Sequence, residues 1–386
     1  MLSREQKFIL YAIRKSMGLP AVQVDDSNLD QDYIANVVLK NGILATVFQF
    51  LPTEIQASLN SSYLSRISQS TQQNYEGEIV INAIRNAGLE CIALKGWEMR
   101  KLYPHPYMRE MADLDVLIRP YSFEVVKEIL TKLGFQTEGE SFWRHDVFHK
   151  NNVTIETHKR LTDDSNIVKD WEAYMWSRAI RDGQTCRMTN EDYYTFHFIH
   201  LYKDFCNGSL GLRRVIDTWL LNKQITKCDP TTEKILRDLG IWQFHNRMLF
   251  LASVCMNETE MDSDSELLLM HSFEYGIFRS EKAYKIGRIV RLSGDRGLTT
   301  GKILSILKAL FLPYNRMKAQ FPILQKYPFL LPLFWTKRIS KYIAGGNASW
   351  SKKKLDYKTL TSEDYAEMKS FFKAGGMQFE NEKWMH

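Results

Sequence analysis

The chain has 386 residues and a formal net charge of +6, and its 44% hydrophobic and 25% charged residues are ordinary for a soluble globular protein with two or three compact units. Its five cysteines are scattered without a C-x-x-C pair, which argues against a disulfide framework or zinc site and favours a reducing cytosol. The N-terminus lacks the apolar core of a signal peptide, and no apolar run approaches the roughly 20 residues of a membrane span, so we expect a cytoplasmic protein with at most peripheral membrane contact.

Residues 1–88 carry helical patterns without a chemical motif. A short apolar stripe near the N-terminus is followed by a longer pattern that begins at Asp30. Pro52 stands where a further helix can begin, and a third pattern from Leu64 to Ala87 ends at Gly88, a common stop for a helix. We therefore expect a helical region that packs on the unit that follows it.

At Leu89 the pattern changes to alternating strands and helices. An apolar strand from Cys91 to Leu94 meets Lys95-Gly96, where a helical pattern begins. After a proline-containing turn the chain returns as a second strand, which carries the sequence D-L-D-V-L-I. Backbone N–H groups at a glycine that opens a helix suit phosphate binding.

Asp113 and Asp115 form a D-x-D motif on this second strand. Because side chains alternate along a strand, we expect both carboxylates on one face, about 6–7 Å apart along the backbone, and the apolar residues on the other. Two close carboxylates repel each other unless a divalent cation lies between them, and Mg²⁺ prefers such ligands. The motif alone leaves open a metal site and an exposed strand end with two solvated aspartates.

Residues 119–162 predict an amphipathic helix that ends at Gly134, followed by a β-hairpin. Two strand patterns, 142–150 and 153–158, flank Asn151-Asn152, a turn pair that tolerates positive φ. On the second strand Glu156 and His158 share one face. Glu156 is therefore the candidate third acid beside the D-x-D motif, although a lone strand glutamate usually faces solvent.

Residues 163–300 return to helical patterns, with a clear apolar core stripe from Leu212 to Leu220. Arg213 and Asp217 stand four residues apart, the spacing of a weak surface ion pair. Another helix contains H-x-x-H without the H-E-x-x-H arrangement of a metalloprotease, so we interpret its histidines as packed side chains. The polar residues near one face of that helix are Tyr193, His197, His200 and Asp204.

The last part of the chain is basic. From Lys302 to Lys354 it contains eleven Lys or Arg residues and no Asp or Glu. Four prolines exclude one long helix, so we expect short helical pieces with aromatic and basic side chains. Such a segment either docks on an anionic surface, wraps around the protein's own core, or is a solvated basic face. The prolines are Pro313, Pro322, Pro328 and Pro332, and the tail after Gly345 is expected to be loosely ordered.

The order of these motifs resembles the uncharacterised bacterial nucleotidyltransferase family of the polymerase-β-like superfamily. L-K-G is followed by an arginine, by D-L-D-V-L-I, by a helix ending in G-F and by I-E-T-H. H-L-Y-K-D-F, L-R-R-V-I-D and Y-P-F-L-L-P-L-F-W further along resemble that family's helical half. Two departures stand out: Lys95-Gly96-Trp97 replaces the Gly-Ser of many superfamily members, and Glu156 replaces the usual Asp.

The resemblance implies an α+β fold, with a nucleotidyltransferase-like mixed sheet and helices, flanked by N-terminal helices and a C-terminal helical domain. The predicted parts are an N-terminal helical region (1–88), a catalytic core (89–162), a helical domain (163–300) and a basic, proline-interrupted segment with its tail (301–386).

The resemblance also implies an enzyme that moves a nucleoside monophosphate from a nucleoside triphosphate, such as ATP, to a hydroxyl or similar acceptor and releases pyrophosphate. Such enzymes use two Mg²⁺ ions, with Mn²⁺ as the alternative, roughly 3.5–4 Å apart. The resemblance assigns both ions to Asp113 and Asp115 and makes Glu156 a further ligand or the base. It assigns the nucleotide to Lys95, Gly96, Arg109 and His158, with His200, Lys203 and Asp217 as weaker candidates behind them.

No motif in the sequence identifies the acceptor, so a small molecule, a glycan precursor, a protein side chain and an RNA end all remain open. One alternative is a catalytically silent nucleotide-binding or regulatory protein on the same scaffold, because a fold does not guarantee activity. Another is a toxin-like nucleotidyltransferase that acts on RNA or protein. The intact set of three acids favours the enzyme. A peripheral contact of residues 302–354 with an anionic surface is compatible with each hypothesis.

Overall fold

The computed structural model describes residues 1–137, 139–141, 145–161, 165–183, 185–224, 228–277, 281–343 and 359–379. The described chain forms two compact units, a larger one from parts of 1–205, 209–279 and 373–386 and a smaller one from parts of 206–208 and 280–372. Three details of the sequence predictions lie outside the described residues. These are the start of the first hairpin strand (142–144), the boundary at 162–163, and about half of the tail, with Lys352 to Lys354. The expectation of a loosely ordered tail is wrong for residues 362–374, which form a helix that buries Phe371 and Phe372.

The N-terminal part of the larger unit is helical, as predicted. Ser3 and Gln6 form a capping box at the first helix, and Asp30 caps the second. The fourth helix has 34 residues and follows directly on Pro52, so the pattern at Leu64 continues a helix that has already begun. The helices are α1 (Arg4–Ser16), α2 (Gln31–Lys40), α3 (Leu44–Val47) and α4 (Thr53–Asn86).

A mixed sheet follows, and its described strands number seven. They are β1 (Glu90–Ala93), β2 (Leu114–Arg119), β3 (Gln136–Thr137), β4 (His145–Lys150), β5 (Val153–His158), β6 (Ile180–Asp182) and β7 (Thr185–Arg187). Their order in the sheet is β3-β4-β5-β2-β1-β7-β6. β2 runs antiparallel to β1 and parallel to β5, and β7 runs parallel to β1. The predicted α+β class with a mixed sheet is confirmed.

One face of this sheet packs on helices and forms an apolar core. Leu114, Val116 and Ile118 of β2 are buried there beside residues of α4 and of α6 (Phe123–Lys132). The predicted alternation along β2 is thus confirmed for its apolar residues. Asp115 alternates with them and is turned to the other face of the sheet, where the candidate site lies.

The hairpin has the predicted turn and register. β4 and β5 are antiparallel, and Asn151 at the turn has a φ of +51°. The D-x-D strand differs from the prediction, because β2 begins at Leu114 and Asp113 therefore lies just before the strand. Asp113 is consequently not constrained by the pairing of β2 with its neighbours.

The remainder of the larger unit is mostly helical, but the prediction of only helices after residue 163 is wrong at 180–187. There β6 and β7 form an antiparallel pair that adds to the edge of β1. Strands of three residues are too short to show an alternating pattern. The helices are α7 (Asn166–Arg178), α8 (Asn190–Cys206), α9 (Leu212–Gln224), α10 (Pro230–Asp238), α11 (Trp242–Cys255) and α12 (Ser263–Tyr275).

The smaller unit consists of helices with proline-interrupted connections. Pro313 and Pro322 precede short helices, and Pro332 lies in the first turn of another, so the predicted break-up of this segment is confirmed. Among the described helices, none combines the length and the apolar character that crossing a membrane requires. The helices are α13 (Glu281–Ser293), α14 (Gly297–Leu310), α15 (Tyr314–Gln320), α16 (Ile323–Lys326), α17 (Leu331–Ile343) and α18 (Ser362–Ala374).

Candidate active site

Lys95 forms a strained turn where β1 leads into the short helix α5 (Gly96–Met99). Its backbone has φ +44° and ψ −118°, a conformation that residues other than glycine rarely adopt. Two contacts hold the turn: the Leu94 N–H donates to the Asp115 carbonyl at 2.9 Å, and the Tyr193 hydroxyl donates to the Lys95 carbonyl at 2.6 Å. The turn thereby fixes where the Lys95 side chain leaves the backbone.

Gly96 is buried directly beside this turn. A Cβ atom at this position would lie 2.6 Å from both Arg109 Nη1 and Met111 Sδ. A side chain at this position would therefore require Arg109 or Met111 to shift. The role of the Gly96 N–H in phosphate binding stays a prediction, because α5 has only four residues.

Asp115 and Glu156 lie opposite each other on the adjacent parallel strands β2 and β5. Asp115 is 2% exposed, and two groups contact its Oδ1 atom: Lys95 Nζ at 2.6 Å and His158 Nε2 at 2.7 Å. His158 Nε2 also lies 3.5 Å from Glu156 Oε2. The structure thus places Lys95, Asp115, Glu156 and His158 in one cluster, with Asp113 at its edge.

The charges in this cluster shift the pKa values of the two aspartates in opposite directions. Burial and the negative charges of Asp115 and Glu156 raise the pKa of Asp113 to about 6, against the attraction of Lys95. Burial alone would raise the pKa of Asp115 as well, but Lys95 and the hydrogen bond from His158 hold it well below its usual range. Asp115 is consequently a permanent anion, whereas Asp113 titrates close to neutrality.

The pKa values of both cationic partners of Asp115 are raised. Burial lowers the pKa of Lys95, but the charges of Asp115 and Asp113 outweigh it and raise this pKa overall. Burial also lowers the pKa of His158, and the hydrogen bonds to Asp115 and Glu156 turn the shift into a rise. Both groups therefore favour their charged forms next to the acids.

His145 is a member of the cluster that the sequence analysis missed. Its Nε2 lies 3.6 Å from Glu156 Oε1, and its ring centroid lies 5.0 Å from that of His158. His145, Glu156 and His158 each offer a ligand atom within 4.8 Å of the others. The signal was present in the sequence, since a two-residue turn at 151–152 pairs residue 145 with 158 across the hairpin.

Arg109 and Asp217 form a buried ion pair. The Arg109 guanidinium donates to Asp217 from Nε at 3.2 Å and from Nη2 at 2.8 Å, and the Tyr103 hydroxyl donates to the same carboxylate at 2.8 Å. The interpretation of Arg213 and Asp217 as a surface pair is wrong, because Asp217 is fully buried and Arg213 donates to the Glu110 carbonyl. Asp217 thus holds the Arg109 guanidinium in place next to Gly96.

Residues of helix α8 lie beside Lys95 and Arg109. The pKa of His197 is lowered by burial to about 3 and that of His200, beside Asp204, to about 4, so both imidazoles are neutral. His197 Nε2 contacts the Thr218 hydroxyl at 2.9 Å, as expected of a packed histidine. Lys203 is half-buried further along α8. A cavity of about 10 Å³ lies among Lys95, Arg109, His197, His200, Arg214 and Asp217, which is room for one water molecule rather than a nucleotide.

The cluster contains side chains that can bind a divalent cation, and among the described residues those whose ligand atoms lie within 4.8 Å of one another are His145, Glu156 and His158, without the two aspartates. Asp113, Asp115 and Glu156 supply the hard oxygen atoms that Mg²⁺ prefers. The pKa of Asp113 is raised first by burial and then by the charges of Asp115 and Glu156, so a further positive charge beside these acids is electrostatically favourable. The imidazoles of His145 and His158 add nitrogen atoms, which suit Mn²⁺ and other transition metals better than Mg²⁺.

Comparison with known proteins gives a match to a protein family. The family model described as uncharacterised nucleotidyltransferase matches residues 29–257. No curated protein and no solved structure matches the chain. The matched range covers more than half of the 386 residues and includes the Lys95 turn, the D-x-D motif, Glu156 and the Arg109–Asp217 pair. The chain therefore belongs to the uncharacterised nucleotidyltransferase family.

Proposed function

We propose that this protein is a metal-dependent nucleotidyltransferase that moves a nucleoside monophosphate from a nucleoside triphosphate to an acceptor hydroxyl. The observation that carries the proposal is the pairing of Asp115 with Glu156 on adjacent parallel strands, with Asp113 beside them and Lys95 2.6 Å from Asp115. A triphosphate is strongly anionic, so its binding needs both cationic side chains and a metal. Family membership supports the transferase class.

Asp113, Asp115 and Glu156 would hold the metal, Mg²⁺ or Mn²⁺. Bound there, the ion would screen the triphosphate and lower the pKa of the acceptor hydroxyl. Lys95 and His158 carry the positive charges nearest to the acids, and we assign them to the phosphates. The Gly96 N–H group and Arg109 complete the proposed set of nucleotide-binding groups. Arg109 contributes by holding the Lys95–Gly96 turn in place.

In the proposed reaction the acceptor oxygen attacks the α-phosphorus atom. The bond between that phosphorus and the bridging oxygen of the β-phosphate breaks, and pyrophosphate leaves with the electron pair. Glu156 takes the proton of the acceptor, because it is the more exposed acid of the Asp115–Glu156 pair, with 19% of its side chain accessible against 2%. We assign the neutral His200, Lys203 and Asp217 to the residues that hold the site together without contacting the nucleotide.

The acceptor stays open among a small molecule, a glycan precursor, a protein and an RNA end. A cytoplasmic location and a contact of residues 302–354 with an anionic surface also belong to the proposal.

The test is to incubate the protein with each α-labelled nucleoside triphosphate, with Mg²⁺ or Mn²⁺, in the presence and absence of a host-cell extract. We expect one class of extract component to become labelled and pyrophosphate to be released in equal amount. Digestion of the product with nuclease, protease or glycosidase identifies the class of acceptor.

Variants at the acids separate the enzyme from a silent binder. Asp115→Asn and Glu156→Gln should abolish labelling, whereas Glu128→Gln, which removes an exposed carboxylate on α6, should not. Nucleotide binding that needs no metal, together with no labelled product in any extract, would instead support a regulatory protein on this scaffold.

A further inference from the structure

Helix α14 in the smaller unit is packed with its small residues inward. Gly301 and Ser305 are buried, and a Cβ atom at Gly301 would lie 2.6 Å from the carbonyl oxygen of Ile289 on α13. Arg288 of α13 donates to the Ser305 carbonyl at 3.3 Å. Small residues at these two positions therefore allow α14 and α13 to approach closely.

The opposite face of α14 is an apolar stripe that is exposed to solvent. Ile303, Ile306 and Leu307 follow the spacing i, i+3 and i+4, and they are 52%, 37% and 44% exposed. This spacing normally marks the side of a helix that packs on a core. Within this unit the described residues leave the stripe uncovered.

Exposed apolar side chains are also frequent in the residues that follow α14. Eight of the seventeen large hydrophobic residues that are exposed in the described chain lie between Ile303 and Leu333, and Phe329 is 75% exposed. Other residues of the segment pack inward, since the Trp335 indole donates to the Leu312 carbonyl at 2.9 Å. The segment thus has a fixed inner side and an apolar outer side. The outer residues are Ile303, Ile306, Leu307, Phe311, Ile323, Tyr327, Phe329 and Leu333.

The segment that carries these exposed apolar residues is basic. The sequence contains no Asp or Glu between Asp295 and Asp356. Burial and the positive charges of Arg288 and Arg291 lower the pKa of Lys308 on α14. The exposed side chains of Lys326 and Lys337 lie over the rings of Tyr327 and Phe334, at 5.4 and 5.8 Å from the ring centroids.

We propose that the surface formed by α14–α17 docks on an anionic lipid bilayer. Its aliphatic and aromatic side chains can enter the acyl boundary while its lysines contact the headgroups, which is how amphipathic segments lie in a membrane interface. A nucleic acid would use the cations but leave the stripe of Ile303, Ile306 and Leu307 without a partner, because bases stack on aromatic or guanidinium groups rather than on aliphatic ones. The inference specifies the anionic surface proposed above for residues 302–354, and it does not depend on the nucleotidyl transfer.

The test is co-sedimentation of the full chain with vesicles of phosphatidylcholine alone and of phosphatidylcholine with about one third phosphatidylglycerol. We expect binding only to the anionic vesicles, weakened at least about tenfold between roughly 50 and 200 mM salt because the charge attraction is screened. Lys326→Glu with Lys337→Glu should weaken binding at least about tenfold. Lys7→Glu with Lys127→Glu, two exposed lysines of the larger unit, should not.

The apolar contribution has a matched control. Ile303→Ser with Leu307→Ser should weaken binding to anionic vesicles, whereas Leu64→Ser with Met270→Ser, which are 56% and 48% exposed in the larger unit, should leave it unchanged. Absence of binding to anionic vesicles at the lower salt concentration would overturn the proposal. Binding to total tRNA in place of anionic vesicles would overturn it too. So would self-association of the chain that the Ile303 and Leu307 substitutions abolish without any change in binding to vesicles.

Discussion

The two aspartates of the D-x-D motif have opposite pKa shifts although a single residue separates them. Asp115 is fixed by β2, Lys95 and His158, whereas Asp113 lies just before the strand and faces the charges of Asp115 and Glu156. Burial of the Asp113 carboxylate and, after it, proximity to like charges make its charged form unfavourable in the folded state. Asp113 is consequently the residue through which a metal should gain most of its binding energy.

We predict that Asp113→Asn stabilises the protein in the presence of a chelator and abolishes nucleotidyl transfer. The pKa of Asp113 is about 6 in the folded state, against an ordinary value of 3.8, so between these two pH values the folded state holds the extra proton and its stability falls as pH rises. At about pH 7.5 the substitution should raise the free energy of unfolding by about 1–3 kcal/mol, and near pH 4 the gain should vanish. Denaturant unfolding with EDTA at both pH values measures it.

The contrasting variant is Asp115→Asn. It removes the charge that pairs with Lys95 and His158, so it should lower stability at about pH 7.5 under the same conditions. Equal effects of Asp113→Asn and Asp115→Asn on the free energy of unfolding would contradict the assignment of an unfavourable charge to Asp113 and a compensated charge to Asp115.

His197 should make the protein sensitive to mild acid. Its pKa is lowered by burial to about 3, so the unfolded chain binds a proton below about pH 6.5 and the folded chain does not. Stability should therefore fall as pH decreases through this range, by about 2 kcal/mol from this group between pH 7.5 and 5. His197→Gln should lose less stability than the original protein over the same interval in urea unfolding.

At the scale of elements, the turn between β1 and α5 combines strain with charge. Lys95 adopts φ +44° and ψ −118°, which glycine adopts without strain, and its ammonium contacts Asp115. The strain lies at the strand–helix junction that presents the ammonium to the acids. A residue held this way is best explained by the function of its side chain.

We predict that Lys95→Ala and Lys95→Gly lose nucleotidyl transfer alike but differ in stability. Both remove the ammonium, whereas only glycine relieves the backbone, so the glycine variant should be more stable by about 1 kcal/mol or more. Thermal unfolding of the two variants isolates the backbone effect because the lost ion pair cancels. Equal stabilities would show that the backbone at Lys95 is unstrained.

The sequence was informative where local chemistry decides the structure. Alternation along β2 and the asparagine turn of the hairpin are local signals: the first predicted which face the apolar residues of β2 take, and the second predicted the register of the hairpin. The pair β6–β7 has strands too short to carry a pattern and forms because β1 offers a free edge, which is a tertiary effect. The burial of Arg109 was equally hidden, since its partner Asp217 lies 108 residues away and arginine is usually exposed.

At the scale of the larger unit, the Arg109–Asp217 pair joins the sheet region to the helices that follow it. Arg109 lies between the short helical turn Pro106–Met108 and β2, and Asp217 lies on α9. With 4% and 0% of their side chains exposed, neither charge is solvated. A buried pair of this kind need not add much net stability, but each partner alone is strongly unfavourable.

We therefore predict a large coupling between the two residues. Asp217→Leu should destabilise the protein by about 3–5 kcal/mol because it leaves the Arg109 charge buried and unpaired, whereas Arg109→Met with Asp217→Leu should cost distinctly less. A double-mutant cycle in denaturant measures the coupling.

The same variants decide what Arg109 does in the site. If Arg109 acts only by holding the turn, the folded double variant should keep its affinity for nucleoside triphosphate within a few fold, because Lys95 and His158 still face the phosphates. If its guanidinium contacts the triphosphate directly, the loss should reach about tenfold or more, the size of a charge-assisted hydrogen bond. Nucleotide titration of the folded double variant separates the two outcomes.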